Sequence, residues 1–336
     1  MIGSVLRSFT ISRALVFIFA ALGYFLLPSA REGISVSPGD GQPWYLSVWY
    51  QWDANWYMSI ATDGYHWVEG DQSNVAFFPL YPMMLRGAGW LLGGHYLFAG
   101  ILLSSLFLFG GMAYLYRLAL SDFGEDVARR AVWLVAIFPT AVFFTSLYTE
   151  SLFLFTSVAA FYYARRDKWA LAGAFGFLAS LTRITGLLLV VPLAYEYLSR
   201  RSLSLSRARP AFLWLALVPA GLICYMGYLY FSFGSPLAFA ETQASGWGHE
   251  FTPIVGSFTH DVPFLLDQSE VWVVYELAAT ALLAALAIFS FKMLPRSYSL
   301  YMLASLIFPV LGGTTKSTSR YLLVIFPIFI ILALWS

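Results

Sequence analysis

Charged residues are scarce in this chain of 336 residues. Asp, Glu, Lys and Arg together make up 11% of it, whereas hydrophobic residues make up 60%. Water-soluble domains carry about 25% charged and about 45–50% apolar residues. The composition therefore excludes an ordinary soluble domain and indicates a protein embedded in a lipid bilayer.

Cysteine, basic clusters and nucleotide motifs are also lacking. The single cysteine, Cys224, excludes an intrachain disulfide and a cysteine-based zinc or iron–sulfur centre. The net charge is +1 without a long basic run, which removes the usual electrostatic basis for binding nucleic acid. Neither the pattern GxxxxGK[ST] nor GxGxxG occurs, so we expect no direct use of a soluble nucleotide.

Metal-binding and glycosylation signals are missing as well. The four histidines show no HExxH or similar spacing, so we expect no zinc site. No cofactor is firmly implied, and two carboxylates as distant in sequence as Asp53 and Glu150 are weak support for a divalent cation. Asn55 and Asn74 lie outside any N-x-[ST] sequence, which fits a prokaryotic chain.

Long apolar runs recur along the whole chain. A helix needs about 20 apolar residues to cross the hydrocarbon core, and about ten candidates are present, several of them short. We expect spans near 11–28, 95–118, 130–147, 151–164, 169–182, 186–199, 211–233, 271–291, 298–312 and 321–336. The first lacks a convincing small-residue cleavage site and is interpreted as an anchor. The predicted fold class is an all-α polytopic membrane protein, with a single transmembrane domain over residues 1–336.

The stretch 75–93 is apolar but contains Pro79, Pro82 and Arg86. If it lies at the membrane interface without crossing, most of the 19 Lys and Arg fall on the cytoplasmic side; if it crosses, most fall outside. Short cytoplasmic loops collect Lys and Arg, so we interpret this stretch as interfacial. Both termini then face the cytoplasm, and two large loops, 29–94 and 234–270, face outward.

The first outer loop contains an acidic residue among aromatic ones. Tyr45, Trp49, Trp52 and Trp56 follow helical spacing and would form one stripe on a continuous helix. Aromatic residues favour the membrane interface, so the stripe alone indicates an anchoring belt. On such a helix Asp53 would be a lone carboxylate between Trp49 and Trp56, and partial desolvation would make it a better general base.

Five segments, in chain order, resemble one family. They are QWDANWYMSIATDGY, NVAFFPLYPMMLR, FPTAVFFTSLYTESLFL, LTRITGLLLV and STSRYLLVIFP. From about Trp52 to the end, the chain is similar to prokaryotic relatives of the phosphatidylinositol-glycan class V (PIG-V) mannosyltransferases, of the glycosyltransferase C (GT-C) superfamily. The resemblance implies a GT-C-like enzyme that uses a polyprenyl-phosphate sugar, typically mannose, with Asp53 as base in a catalytic first outer loop. It also implies a wall beside Asp53 formed by the FFPLYP turn, with Phe78, Pro79 and Tyr81.

Three cations lie at the outward ends of predicted spans: Arg183, Lys316 and Arg320. A sugar on a polyprenyl phosphate carries an activated leaving group, so transfer needs a base and one or two cations for the departing phosphate. Arginine suits phosphate through bidentate hydrogen bonds. We assign Arg183 and Arg320 to the donor phosphate, whereas for Lys316 snorkelling to the interface is the simpler explanation.

Other candidate residues rest on weaker signals. Glu150 begins a predicted span, and stabilisation by the helix dipole explains it as well as contact with an acceptor or a cation does. In the second outer loop, Trp247 could stack on a sugar and His249 could contact phosphate, although a lone loop histidine is more often just solvated. The remaining candidate substrate-binding residues are aromatic: Trp49, Trp52, Trp56 and Tyr57.

We therefore expect an integral-membrane glycosyltransferase that moves a sugar, typically mannose, from a polyprenyl-phosphate donor to an acceptor hydroxyl with inversion at the sugar carbon. The acceptor is a glycan, a lipid or a protein, and no motif decides among them. The charge bias places the site on the outer face of a prokaryotic plasma membrane. The alternative is a polytopic transporter or lipid-linked sugar flippase, but the paired repeats and broken midplane helices typical of transporters are not visible.

Overall fold

The computed structural model describes residues 2–27, 43–204, 209–248, 271–311, 315 and 317–336. Every regular element in these ranges is helical. Helices suit a bilayer because they satisfy their backbone N–H and C=O groups internally, where no water is present to do so. The predicted all-α polytopic fold class is confirmed.

The described ranges contain α-helices in both halves of the chain. The first half contains α1 (Ile2–Leu26), α2 (Trp44–Ser47), α3 (Ala54–Thr62), α4 (Leu80–Leu91), α5 (Tyr96–Phe123), α6 (Glu125–Ala136) and α7 (Glu150–Ala164). The second half contains α8 (Trp169–Thr182), α9 (Val190–Ser199), α10 (Leu217–Phe233), α11 (Ala238–Trp247), α12 (Val271–Ser290), α13 (Arg296–Ser305), α14 (Ile307–Leu311), α15 (Thr318–Leu322) and α16 (Pro327–Trp335). The described 3-10 helices are Asn74–Ala76, Ala141–Phe144, Ile184–Leu189 and Pro210–Ala216.

Four helical stretches of the described chain are long and apolar enough to cross a bilayer. They are Ile2–Leu26, Tyr96–Phe123, Pro210–Phe233 and Val273–Ser290. Each overlaps a predicted span. Most other predicted spans correspond to shorter helices, among them the apolar stretches Trp169–Thr182 and Ile184–Ser199.

The predicted span 130–147 is wrong, because this stretch is not one helix. α6 ends at Ala136, and after a break the 3-10 helix Ala141–Phe144 follows. Pro139 lies in the break; proline lacks a backbone N–H and restricts the residue before it, so a helix cannot run through it undisturbed. The early end of α6 leaves residues 137–149 as an irregular segment that reaches the cavity described below.

The stretch 75–93 forms the 3-10 helix Asn74–Ala76 and α4. α4 has 12 residues, and at the rise of an α-helix that length covers about 18 Å. The hydrocarbon core is about 30 Å thick, so α4 is too short to cross it. Trp90, near the end of α4, is 75% exposed, as expected for a helix at the interface. Because α7, with 15 residues, is also shorter than the core, length alone does not separate crossing from interfacial helices, and the interfacial position of this stretch stays a prediction.

α7 is a central helix of the bundle. It packs against α5 and α8, and α8 packs in turn against α10. Most residues of α7 are buried, including Glu150 at its start. Arg183, directly after α8, donates a hydrogen bond to Oε1 of Glu150 at 2.8 Å, so the beginning of α7 meets the end of α8.

A second ionic network lies at the other end of α7. Arg165 donates to Asp122 at 2.9 Å and to Glu196 at 3.1 Å. Tyr298 donates to the second carboxylate oxygen of Asp122, and Ser297 donates to that of Glu196. These contacts join the ends of α5, α7 and α9 to α13. Since α7 has 15 residues, this network and Glu150 are separated by about 22 Å along the helix.

Arg13 lies in the middle of α1 and is bound to the segment that follows α6. Its guanidinium donates to the carbonyl oxygen of Ala136 at 2.9 Å, that of Ala141 at 3.1 Å and the hydroxyl of Thr145 at 2.8 Å. The last carbonyls of a helix have no partner within the helix, and Arg13 supplies one for α6.

We expect Arg13→Leu to lower the free energy of unfolding by about 1–3 kcal/mol, because buried carbonyl groups would lose their partner. The free energy of unfolding of Arg13→Lys should lie between those of wild type and Arg13→Leu, since lysine keeps the charge but not the forked set of donors. Thermal unfolding in detergent measures both. Arg7→Leu is the control, because Arg7 is exposed on the same helix; equal losses for Arg7→Leu and Arg13→Leu would contradict the assigned contacts.

Candidate active site

Asp53 lies at the N-terminal boundary of α3. α2 ends at Ser47, and the chain then turns through residues 48–53 before α3 begins at Ala54. The continuous helix expected to carry the aromatic stripe is therefore not formed, and the prediction of one stripe from Tyr45 to Trp56 is wrong. The spacing matched a helix, but the first helix ends at Ser47, and Trp52 in the following turn has a φ of +50°.

The three tryptophans of this segment have different surroundings. Trp49 is buried against Phe17, with 5.7 Å between ring centroids, and its Nε1 donates to the carbonyl of Tyr45. Trp52 is 69% exposed. Trp56 stacks on Phe77, with 5.8 Å between ring centroids. Trp49 thus connects the loop to α1, whereas Trp52 and Trp56 lie at or next to the cavity.

Four charged side chains form one connected set, which we call the charge chain. Arg320 donates through Nη1 to Oδ2 of Asp53 at 2.6 Å. Its Nε lies 3.5 Å from Oε1 of Glu150, and the same oxygen accepts the hydrogen bond from Arg183. The lone carboxylate expected at position 53 is therefore an ion-paired one, with Arg320 as its partner.

Exposure differs along the charge chain. The Asp53 side chain is 28% exposed, whereas that of Glu150 is 1% exposed. Arg183 and Arg320 lie between these extremes. Oε2 of Glu150 and Nε of Arg320 are buried without a hydrogen-bond partner in the described structure. Glu150 is thus the inner counterion, and Asp53 is the member that faces solvent.

Local backbone geometry places Arg183. It follows α8 in an extended conformation and precedes the 3-10 helix Ile184–Leu189. Gly186 in this helix approaches α8 so closely that an added Cβ would clash with the carbonyl group of Ala179. Glycine at this position lets the LTRITG segment fold back on α8, which directs Arg183 toward Glu150.

Glu276 of α12 places Arg320. Its carboxylate accepts hydrogen bonds from the backbone N–H and the hydroxyl of Ser319, each at 2.8 Å. The backbone N–H belongs to the first turn of α15, where N–H groups lack a partner within the helix. The acidic side chain thereby holds the start of α15, next to Arg320. Sequence analysis missed Glu276, although a single acid in the apolar span 271–291 is a signal of function.

The charge chain borders a cavity of about 650 Å³, within the size range of small-molecule sites. Among its lining residues are seven candidates from the sequence: Trp52, Asp53, Tyr57, Phe78, Arg183, Trp247 and Arg320. Lining residues that sequence analysis did not single out include Phe143, Tyr148, Gln243 and Glu276. Phe143 and Tyr148 lie in the FPTAVFFTSLYTESLFL segment, so the resemblance pointed to the segment but not to these side chains.

The other candidates lie elsewhere. Glu150 is beneath the cavity and contacts both arginines. Pro79 precedes α4, and the hydroxyl of buried Tyr81 bonds to Ser104 at 3.0 Å, so neither lines the cavity. His249 and Lys316 lie outside the described residues.

Phe77 and Trp247 line one side of the cavity, and Trp56 packs on both of them. We call these three rings the aromatic wall. The ring of Trp247 meets those of Trp56 and Phe77 edge to face, with centroids 5.5 and 5.7 Å apart. α11 carries Trp247, and Gln72 holds α11 by donating to the carbonyl of Gly246 at 2.8 Å. The predicted loops 29–94 and 234–270 thus contribute to the same cavity.

Two tyrosines border Asp53. The hydroxyl of Tyr148 accepts a hydrogen bond from the backbone N–H of Asp53 at 3.0 Å. The hydroxyl of Tyr57 lies 3.4 Å from that of Thr149. Burial raises the pKa of both phenols above the usual value of tyrosine. Both therefore stay neutral at physiological pH and act as hydrogen-bonding groups.

The ranges that the structure covers contain no group of three His, Cys, Asp or Glu side chains arranged to hold a metal ion. The acidic members of the site are instead bound to arginine or to backbone and hydroxyl groups. What the site offers chemically is a solvent-facing carboxylate, two guanidinium groups and an aromatic wall.

A comparison with protein families identifies the family of the chain. The family model described as mannosyltransferase (PIG-V) matches residues 41–261, more than half of the chain. The matched segment includes Asp53, Glu150, Arg183 and Trp247, whereas Arg320 follows it. No curated protein sequence matches the chain. The protein is thus a membrane glycosyltransferase, and it belongs to the mannosyltransferase (PIG-V) family.

Proposed function

We propose that this protein transfers mannose from a polyprenyl-phosphate donor to an acceptor hydroxyl, with Asp53 as the general base. The observation that carries the proposal is the charge chain at the cavity: a carboxylate that faces solvent, beside two arginines that share a buried glutamate. Such a set contains a proton acceptor and cations within one small space, which displacement of a phosphate requires.

Arg183 and Arg320 are suited to the donor phosphate. Both guanidinium groups line the cavity, and guanidinium binds phosphate oxygens with paired hydrogen bonds. Glu150 keeps the two groups together from below. Lys316 and His249 stay candidates for additional phosphate contacts on the strength of the sequence alone.

Arg320 couples the base to the leaving group. In the free protein its Nη1 donates a hydrogen bond to Oδ2 of Asp53 at 2.6 Å, so this oxygen of the base is already occupied. A donor phosphate attracts the same guanidinium and draws it from Asp53. Donor binding thereby frees the base, so the donor binds productively before the acceptor reacts.

The reaction balances with the groups present. Asp53 takes the proton of the acceptor hydroxyl, whose oxygen forms a bond to C1 of the sugar. The bond between C1 and the phosphate oxygen breaks, and its electron pair leaves with the polyprenyl phosphate. A single direct displacement inverts the configuration at C1. The extra negative charge on the leaving phosphate develops next to Arg183 and Arg320, where cations lower the barrier most.

The aromatic wall is suited to the transferred sugar. The rings of Phe77 and Trp247 give one side of the cavity an apolar surface, and Trp56 supports them from behind. A pyranose presents C–H groups on its faces and hydroxyls at its edge, so apolar rings can pack against it while leaving C1 accessible. Phe78 and Tyr57 line the same cavity and extend this surface.

We assign the site to the outer face of the membrane. The network around Arg165 lies at the opposite end of α7 from Glu150, and basic residues follow it at positions 166, 168, 200 and 201. Cytoplasmic loops are enriched in Lys and Arg, which supports a cytoplasmic location for that end. A prokaryotic plasma membrane with cytoplasmic termini fits this arrangement.

Asp53→Asn should lower kcat for mannose transfer by about 10²–10⁴-fold, the contribution of a general base. The amide is nearly isosteric, and the bond from the backbone N–H of residue 53 to Tyr148 does not depend on the side chain. Transfer of labelled mannose from a polyprenyl-phosphate donor by the purified protein measures the effect.

Asp63→Asn is the matched control for that experiment, because Asp63 is exposed at the other end of α3. Its transfer rate should equal that of wild type. A rate for Asp53→Asn within threefold of wild type, in folded protein, would refute the assignment of the base.

Arg320→Gln should lower kcat/KM for the donor by about 10²–10³-fold, as loss of a group that stabilises transition-state charge does. The kcat/KM of Arg320→Lys should lie between those of wild type and Arg320→Gln, since an ammonium group keeps the charge but cannot reproduce the paired hydrogen bonds. The loss in the double variant Asp53→Asn/Arg320→Gln should be smaller than the product of the single losses, because the two residues act as a unit. Arg129→Gln, at an exposed ion pair with Asp126, serves as control; independent, multiplicative losses would argue against the coupling.

A further inference from the structure

Trp52 combines exposure with a constrained backbone. Its indole lines the cavity and is 69% exposed. Its φ of +50° lies in the left-handed region, which is unfavourable for a bulky side chain. Such conformations persist only where the surroundings enforce them, and they cluster at functional sites. The conformation of Trp52 therefore requires a structural cause, and its exposed ring at the cavity is available to bind a ligand.

The hydroxyl of Tyr148 is the cause. It donates to the carbonyl of Gln51 at 3.1 Å and accepts from the N–H of Asp53 at 3.0 Å. The two peptide groups that flank Trp52 are thus bound to one oxygen atom. Tyr148 is itself buried, and its ring packs edge to face on Phe143 at 5.0 Å between centroids. One rigid side chain holds the turn.

Two neighbouring side chains are directed by this turn. The carboxylate of Asp53 meets Arg320, while the indole of Trp52 lies at the cavity, 6.1 Å from the ring of Phe143. Consecutive Cα atoms are about 3.8 Å apart, and a general base acts within about 2.6–3.2 Å of the hydroxyl. Trp52 and Asp53 also line the same cavity, so a molecule that brings a hydroxyl to Asp53 enters the space that the indole borders.

We propose that Trp52 binds the acceptor by stacking on a sugar ring, and that Tyr148 is the positioning residue for this contact. The inference rests on the proposed function, in which Asp53 is the base. A pyranose has a face of C–H groups that covers an indole, and its hydroxyls at the edge stay free to meet a carboxylate. The side chain of serine or threonine has no such face. The acceptor class is thus a carbohydrate, either a free glycan or the headgroup of a glycolipid.

A membrane anchor does not account for these features. Tryptophan is common at the bilayer interface, but an anchoring role requires neither a left-handed backbone nor a position next to the carboxylate. Trp90 is the suitable comparison, because it is equally open, at 75% exposed, and lies near the end of α4, the predicted interfacial helix.

The experiment uses the full chain in lipid nanodiscs with a labelled mannosyl-phosphate polyprenol. Methyl α-mannopyranoside is the soluble acceptor probe, and the measured quantity is the ratio of transfer to this probe over release of mannose to water. Trp52→Ala should lower the ratio about tenfold, equivalent to about 1.4 kcal/mol. Trp52→Phe should lower it less, since a flat ring remains. Trp90→Ala should keep both rates at the wild-type level.

Trp52→Gly separates the ring from the strain. Glycine adopts positive φ readily, so this variant loses the indole but relieves the backbone. Its ratio should match that of Trp52→Ala. A wild-type ratio in Trp52→Gly would show that the ring is not used, and would overturn the proposal.

Tyr148→Phe tests the positioning role. Removal of the hydroxyl loosens both Trp52 and Asp53, so KM for the glycoside should rise and kcat should fall together. A purely structural role would reduce the amount of active protein, which lowers kcat and leaves KM unchanged. That outcome would overturn the assignment of Tyr148.

Further measurements compare a free glycan with a glycolipid as acceptor. They also distinguish failure of this inference from failure of the proposed function. A mannosylated glycolipid in the disc replaces the soluble glycoside, and a loss of transfer in Trp52→Ala with either one supports a sugar-ring acceptor. Preferred transfer to a seryl peptide by wild type, or equal losses for Trp52→Ala and Trp90→Ala, would overturn the inference alone. If wild type neither transfers nor releases mannose from any polyprenyl-phosphate donor, the proposed function fails and the inference with it.

Discussion

The carboxylate of Glu150 is the contact on which the candidate site depends. It is almost fully buried, and its Oε1 accepts from Arg183 while lying next to Arg320. Removing one member of a buried ionic set leaves an uncompensated charge and costs about 3–5 kcal/mol. The first turn of α7, the end of α8 and the short helix α15 are therefore held together by one group. Asp53 joins this set from a separate loop, which makes the geometry of the base a consequence of bundle assembly.

α7 is held by ionic contacts at both ends. Glu150 lies at one end and the network of Arg165, Asp122 and Glu196 at the other, with buried apolar residues between them. Close packing of this kind transmits displacement instead of absorbing it. The position of Glu150 at the cavity therefore depends on contacts at both ends of α7.

Sequence patterns identified several residues of the site but not how they are arranged. Composition identified a membrane protein, charge bias identified Arg183 and Arg320 as unusual, and the aromatic context singled out Asp53. The ion pair between Asp53 and Arg320 joins residues 267 positions apart, and no local pattern encodes such a contact. The helical spacing also gave no sign of the turn at Trp52, because the hydroxyl of Tyr148, from another segment, holds that turn. Hydropathy extended a span across Pro139, since it measures apolarity and does not register a missing backbone N–H.

The charge chain is electrically neutral, since two carboxylates balance two guanidinium groups. Under the proposed chemistry, a donor phosphodiester brings one negative charge into it. Transfer moves a proton onto Asp53 while the leaving phosphate gains a charge, so the total does not change during the chemical step. Escape of that proton to solvent then leaves the spent lipid phosphate in a site with surplus negative charge, facing a carboxylate that competes for Arg320. In this scheme the product phosphate and Asp53 compete for Arg320, and departure of the product restores the ion pair between Asp53 and Arg320.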